Sequence, residues 1–549
     1  MSATKFGYLF LAVLIAVSAS CAGCRRNHSG GPFVIALGDN IRTIDPIGSP
    51  SVDAASERVR TLMFNSLVKK DEKFDYVGEL ASEIMRAPDN VTYTFVLRDG
   101  VKFHDGRPFT SADAKYTLDL VFSSTFAKSA SFYETSVQKP SEARPGVTPT
   151  DNPPSPQRTS YIKSVEAPDP HTLIVTTTKP WTGLLPNLVA VAMIPKDGYA
   201  TQKDHPMGTG PFKFVSYDSS QQVVDLAANP DYWDGGAPHI STVRVRVISD
   251  TNALQAELRS GRVDIAPLPT SLLPDAVKLL GQDPKLQVLQ FTGSNLNLLT
   301  LNCSQPPLND VRVRQAIAYA VDREGLIRDL ILGQAKIAHS ILPEESWAYS
   351  SGQRYTFDPA MAKKLLDEAG LKDPDGDGPQ MRFAKPVVFK VSGSSVSAQN
   401  YAGVIQNYLK NVGIPVTIET AELNSLFDEL RRGNFQISYG QWVGGNQDPI
   451  FFKDLFATSE IPTETRPSRN RSRYSNKELD ALIEEAVNAF DREKAKALYA
   501  KINEIVTRDV PVLPLWYQAN IVIAQKNVGN IKINASGDWG FVKDLTVEK

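Results

Sequence analysis

Residues 93–113 read YTFVLRDGVKFHDGRPFTSAD, and this stretch says more about the fold than any other in the chain. Val91, Tyr93, Phe95 and Leu97 recur at every second position, the period of a half-buried strand. Asp99-Gly100 interrupts, and Val101 and Phe103 resume the alternation. An Asp-Gly pair between two such runs predicts a hairpin, because its turn uses left-handed backbone that glycine adopts freely. A second turn follows at Asp105-Gly106. Thr110-Ser111-Ala112-Asp113 then supplies a hydroxyl cap and an acid for a first helical turn, so a helix is expected from there.

Working outward, a strand is expected over Phe33–Leu37, ended by Gly38-Asp39-Asn40, and a helix over residues 54–67. On the other side, residues 137–160 are dense in Pro, Ser and Thr and predict an extended surface loop. Strands follow near 162–165 and 172–177, strands and turns over 208–246, and a short helix over 251–262. From Arg312 the pattern changes. Segments 311–332, 358–370, 398–412, 423–432, 476–488 and 491–508 carry helical periodicity. Short apolar strands lie between them at 386–391, 415–419 and 435–439. Strands alternating with helices predict βαβ units. Val510 to Trp516 and residues 520–524 are again strand-like. The order β-rich, helix-rich, β-rich fits a chain that crosses from one lobe to another and returns.

Composition narrows the function. The chain has 549 residues, 42% of them hydrophobic, and only three cysteines, enough to bury a core without disulfides. Basic and acidic residues nearly cancel, 59 against 61, which excludes the strong basic excess of a nucleic-acid binder. Residues 6–20 (FGYLFLAVLIAVSAS) follow Lys5 and read as a secretory signal, too short for a membrane span of about 20 apolar residues. Cys21-Ala22-Gly23-Cys24 comes next. Small residues before a cysteine resemble a bacterial lipoprotein signal, which makes Cys24 the expected lipidated residue and Cys21 the alternative. Acyl chains there would hold the protein at a membrane by apolar transfer, and Gly- and Ser-containing residues 24–32 would form a tether. Cys303 is expected to be a buried small hydrophobe.

Four stretches together resemble the extracytoplasmic solute-binding proteins of family 5, the receptors of peptide- and nickel-type ABC transporters. They are Tyr93 to Asp113; Gly208 to Phe214 with Asn229 to Gly235; Leu308 to Arg323; and Ile437 to Trp442 with Asp448-Pro449, followed by Pro511 to Tyr517. Most of these residues read as fold determinants: turns at the glycines, buried area at Tyr232 and Trp233, and a local ion-pair set of Arg312 and Arg314 with Asp310 and Asp322.

The resemblance implies an α/β, type II periplasmic-binding-protein-like fold of two hinged lobes with a subdomain inserted in the first. The expected division is 1–23 signal peptide, 24–32 tether, 33–67 first lobe, 68–160 inserted subdomain, 161–290 first lobe again, 291–509 second lobe and 510–549 return. It also implies a monomer that captures a peptide or peptide-like solute and hands it to a permease and its ATPase, with no cofactor and no chemistry of its own; the alternative is a receptor for a non-peptide solute such as a sugar conjugate, or an envelope sensor or chaperone with the same fold.

In peptide-binding members a tryptophan is followed after two residues by an aspartate that pairs with the peptide ammonium, since a buried unpaired cation is costly. Here Trp442 is followed by Val443, Gly444 and Gly445, so glycine stands at the acid's position. Either another acid serves, with Asp53 beside Ala54 a candidate, or the solute has no buried cation, or Asp448 serves instead. Trp442 reads equally as a stacking platform or a packing residue. Gly444 and Gly445 would let backbone N–H groups approach a solute, and Asn446 and Gln447 read either as hydrogen-bonding partners or as a solvated turn.

Rival classes find little support. The six histidines show no close helical ligand spacing. Asp373-Pro-Asp375-Gly-Asp377-Gly378 begins like a calcium loop, but Ala384 stands where the bidentate acid is needed. No nucleophile elbow, phosphate loop or zinc-protease helix motif occurs, so no catalytic or metal residues are expected.

Overall fold

A computed structural model describes residues 31–48, 53–136, 157–376, 378, 380–444, 447–464, 466 and 468–548. The signal peptide, Cys21 and Cys24, most of the tether, Gly445, Asn446, Asp377 and loop residues 137–156 lie outside the described residues.

Two long strands, Leu286–Leu301 and Val512–Gln525, pair antiparallel and join two lobes. Each is apolar enough to be buried on both faces over much of its length. At one end Val522, Ile523 and Ala524 pair with Ile265–Pro267, which lies beside Phe33–Leu37, Thr242–Val247, Val223–Ala228 and Phe212–Asp218. At the other end Leu296 to Leu301 pair with Ile437–Trp442, followed by Val387–Ser392 and Val416–Ala421. The result is one eleven-stranded sheet through both lobes.

In the second lobe Val387–Ser392 runs parallel to both neighbours, and the helices Val396–Lys410 and Leu423–Arg432 make the crossovers. These are the βαβ units the periodicity predicts. The lobes have separate cores. Phe95, Phe212 and Trp539 sit in the first; Leu299, Phe389 and Trp516 sit in the second. Separate cores with a two-strand connection are what allows rigid-body hinge motion.

The hinge strands are not regular. Their register slips between Phe291 and Asn295 and again between Asn297 and Leu298. Gly293 lies in the first slip, where a Cβ would stand 2.0 Å from the Gln518 carbonyl oxygen. Only glycine lets the strands approach there.

The inserted subdomain is a four-stranded antiparallel sheet in the order Ala81–Arg86, Thr92–Leu97, Thr172–Thr177, Ile162–Asp169. Two of its strands therefore lie beyond residue 160, the expected end of the insertion. The Asp99-Gly100 hairpin does not form. Both edges of Thr92–Leu97 are taken by other strands, and the Leu97 N–H donates to the His171 carbonyl at 2.8 Å. The tight hairpin sits instead at Asp105-Gly106, where Phe103 N–H donates to Arg107 O at 2.8 Å and Phe109 N–H to Val101 O at 2.9 Å. The helix Ser111–Ser123 follows with the anticipated start: Thr110 and Asp113 close a capping box. The helix expected over 54–67 ends at Met63.

The other motifs are mostly structural, with different partners from those expected. Gly210 donates its N–H to Met63 O at 2.9 Å, and a Cβ there would stand 2.3 Å from the Met63 carbonyl carbon. His104 stays beside this turn: its Nε2 lies 3.2 Å from Gly210 O, while its Nδ1 accepts from Gly208 N–H at 3.3 Å. Burial pushes its imidazole down to about 4, so it is neutral. Of the expected ion-pair set only Arg312 with Asp310 forms, at 2.5 Å. Arg314 is buried and donates to the Asp509 and Leu308 carbonyls, both at 2.8 Å, and Asp322 caps the helix Arg323–Asp329. Cys303 is half-buried against the second lobe's core, and burial pushes its thiol up to about 11.

Candidate binding cleft

A cavity of about 770 Å³ lies between the lobes, over the irregular part of the crossing strands. The first lobe supplies Asp39, Ala54, Arg58 and the segment around Leu268–Leu273. The crossing strands supply Asn295, Asn297, Gln518 and Asn520. The second lobe supplies Tyr401, Phe427, Tyr439 to Val443, Arg469 and Arg471. The polar side chains on the crossing strands are what a fully apolar strand would lack, and they stand where the register slips.

Trp442 and Ala54, both singled out from the sequence, line this cavity from opposite lobes. Trp442 packs edge-on against Phe451, with ring centroids 5.0 Å apart, while the Arg469 and Arg471 guanidiniums lie 5.8 and 6.0 Å from its indole. It is a packing residue on one edge and a cavity wall on the other. Asp53 does not line the cavity. Its Oδ1 accepts from Ser56 N–H at 2.8 Å as the cap of the helix Ala54–Met63, while its buried Oδ2 has no partner among the described residues. Gly444 adopts φ +73°, turning the chain away after the strand Ile437–Trp442.

Gln447 and Asp448 have roles that sequence reading missed. Gln447 is buried and is not a solvated turn residue. Its Oε1 accepts from Lys70 Nζ at 2.9 Å and its Nε2 donates to Ser294 Oγ at 3.0 Å. Asp448 accepts from the Tyr76 hydroxyl with one oxygen and from Ile450 N–H at 2.8 Å with the other. Lys70 and Tyr76 belong to the first-lobe side, so these bonds tie one lobe to the other. Burial pushes the Lys70 ammonium down from its usual value, opposed by Asp448 and Asp538; burial and the adjacent Asp448 carboxylate push the Tyr76 phenol well up, so it is a donor. An Asp448 carboxylate held in this way is not free to receive a peptide ammonium.

Beyond these ties a second cavity of about 1240 Å³ separates the inserted subdomain from the second lobe. Its walls include Tyr161 stacked on Trp181 at 4.4 Å, together with Trp347 and Tyr499. Thr182 Oγ1 donates to Val487 O at 2.6 Å and Arg492 pairs with Asp75 across the same gap. Among the described residues no cluster of three or more His, Cys, Asp or Glu side chains is arranged to hold a metal ion, and no helix is long and apolar enough to cross a membrane.

Comparison with known proteins gives a consistent picture. Residues 75–463 match the family described as bacterial extracellular solute-binding proteins, family 5 Middle. Heme-binding protein A of Haemophilus influenzae is 30% identical over 486 residues, covering 85% of this chain and 83% of its own. Among solved structures, the ABC transporter substrate-binding protein CtaP of Listeria monocytogenes aligns with a TM-score of 0.78 at 23% identity, over 94% of this chain and 99% of that one. The oligopeptide-binding protein AppA of Bacillus subtilis, solved with a nonapeptide, aligns with a TM-score of 0.68 at 24% identity, over 95% and 99%.

Proposed function

Since the chain belongs to the bacterial extracellular solute-binding proteins of family 5, we propose that it is the capture subunit of an ABC importer, which encloses a peptide or peptide-like solute outside the cytoplasm and delivers it to a membrane permease. The observation that carries this reading is the polar, irregular hinge between two separate cores, with a cavity over it lined from both lobes. Binding closes the lobes, and the interlobe bonds of Lys70, Tyr76, Gln447 and Asp448 hold the closed form. Hydrolysis of ATP belongs to the partner, and the receptor itself performs no covalent chemistry.

The solute-facing residues in this reading are Trp442 and Ala54; Gly444, Gly445 and Asn446 are proposed contacts from the sequence, the last two outside the described residues, and Asp53 caps the helix that begins at Ala54. Peptide as the solute class is supported by the peptide-binding relatives. A non-peptide solute is the second reading. It is favoured by Gly445 at the position of the ammonium-binding acid and by the binding role in the name of the heme-binding relative. The lipid anchor at Cys24, or at Cys21, rests on the sequence, as do the tether and the monomeric state.

The test is native mass spectrometry of the exported protein purified without denaturation. One small solute per chain, released unchanged on unfolding, is the expected result. Chains that carry no solute and bind none from a peptide mixture, or that convert it to a product, would overturn the reading.

A further inference from the structure

The interlobe cavity is cationic, although the chain as a whole carries a formal charge of only −2. Its charged side chains, among the described residues, are Arg58, Arg469 and Arg471 against the single acid Asp39. Arg469 is answered by Asp454 at 2.7 Å. Arg58 and Arg471 form no ion pair among the described residues; Asp39 acts on Arg58 only at longer range, and Arg469 repels Arg471. Both guanidiniums are half-buried, which removes part of the water that would otherwise stabilise their charge. Arg471 is held in place between two rings, 4.7 Å from the Phe427 centroid and 6.0 Å from that of Trp442. A third unmatched group in the same cavity is also a donor: Asn297 is buried, its Oδ1 accepts from the Tyr439 hydroxyl at 2.6 Å, and its Nδ2 has no partner among the described residues.

The rest of the wall is apolar. Leu273, Leu423, Phe427 and Val443 are 45%, 44%, 42% and 58% exposed, and all four line this cavity. Large apolar side chains left open beside unpaired donors describe the complement of their ligand.

From this arrangement we infer that the cleft selects a solute with an apolar body and at least one carboxylate, the carboxylate seated between Arg471 of the second lobe and Arg58 of the first. Planar guanidiniums bind carboxylates in a two-bond fork. The two arginines line the cavity from different lobes and neither has an ion-pair partner among the described residues, so a carboxylate that reaches both as the lobes close answers two unpaired charges and thereby favours closure. This assignment rests on the receptor reading above and deepens it by naming the solute class.

Two matched pairs test it, titrated by calorimetry into protein freed of co-purified solute. One pair is an N-acetylated apolar tripeptide with a free carboxylate against its C-terminal amide. The other is decanoate against decanol. In at least one pair the acid is expected to bind about tenfold or more tightly than its carboxylate-free partner, the range of a hydrogen bond to a charged group. Discrimination in the first pair points to a peptide C-terminus, and in the second alone to a non-peptide acid. Arg471→Gln and Arg58→Gln, on opposite lobes, should each remove most of the discrimination, whereas Arg432→Gln, outside the cavity, should leave it. Equal binding within both pairs overturns the inference while leaving the receptor reading intact. Absence of binding by every probe also overturns it, and the receptor reading then stands or falls on the solute found by mass spectrometry.

Discussion

Replacing Arg323 by alanine is expected to destabilise the second lobe by about 3–5 kcal/mol, read as a fall in the urea midpoint. This arginine is 4% exposed and has no ion-pair partner among the described residues. Its Nη1 donates to Ala338 O at 2.6 Å and to Pro514 O at 2.8 Å, and its Nη2 to Tyr355 O at 2.5 Å. Three carbonyl dipoles thus stand in for a counter-ion, and burial still pushes the guanidinium down to about 10. Pro514 lies on the crossing strand Val512–Gln525, so the side chain pins that strand to the segment that follows the helix Arg323–Asp329. Truncation leaves three buried acceptors without donors, each a cost of about 1–3 kcal/mol before relaxation. Arg323→Lys keeps the charge but cannot reach three carbonyls in one plane, and should lose about half as much. A loss under about 1 kcal/mol for the alanine variant would mean that water replaces the guanidinium without cost.

The second large effect concerns function. Tyr76→Phe removes one hydroxyl, the donor to the Asp448 carboxylate across the lobes. A hydrogen bond to a charged acceptor contributes about 1.5–3 kcal/mol. Because this bond exists only when the lobes meet, its loss should leave the stability of each lobe unchanged and weaken solute binding about ten- to a hundredfold, chiefly through faster release. Calorimetry and stopped-flow release with the native solute measure both quantities. An unchanged release rate would show that the Tyr76–Asp448 contact does not hold the closed form.

Much of the second lobe was legible in the sequence because its helices announce themselves twice, by apolar periodicity and by aspartate caps. Asp310, Asp322, Asp358 and Asp491 all accept from the first turn of their helices. The first lobe was harder. Alternation on both sides of Asp99-Gly100 looks like a hairpin locally, yet the neighbours of Thr92–Leu97 are strands at 81–86 and 172–177, the second about 80 residues away. The boundary expected at 290 falls inside one long strand, Leu286–Leu301, whose irregular centre holds Gly293 and Ser294.

The cleft was legible only in part. Trp442 and Ala54 were found through the order of motifs along the chain. The interlobe role of Gln447 depends on Lys70, 377 residues distant, and no local pattern encodes such a meeting. The same holds for Arg58 and Arg471: each looks like an ordinary charged surface residue, on a helix and in a loop, until the two lobes bring them to one cavity. Net charge conceals this as well, since 59 basic and 61 acidic residues say nothing of where three arginines gather.

A hinged receptor that closes on its solute becomes more compact when it binds, and small-angle X-ray scattering reads that change. The protein is stripped of its solute by partial unfolding and refolding, and the radius of gyration is measured before and after the solute is returned at saturation. A smaller radius on return, reversed when the solute is removed, is the predicted result. Saturated binding with an unchanged radius and scattering profile would contradict the account.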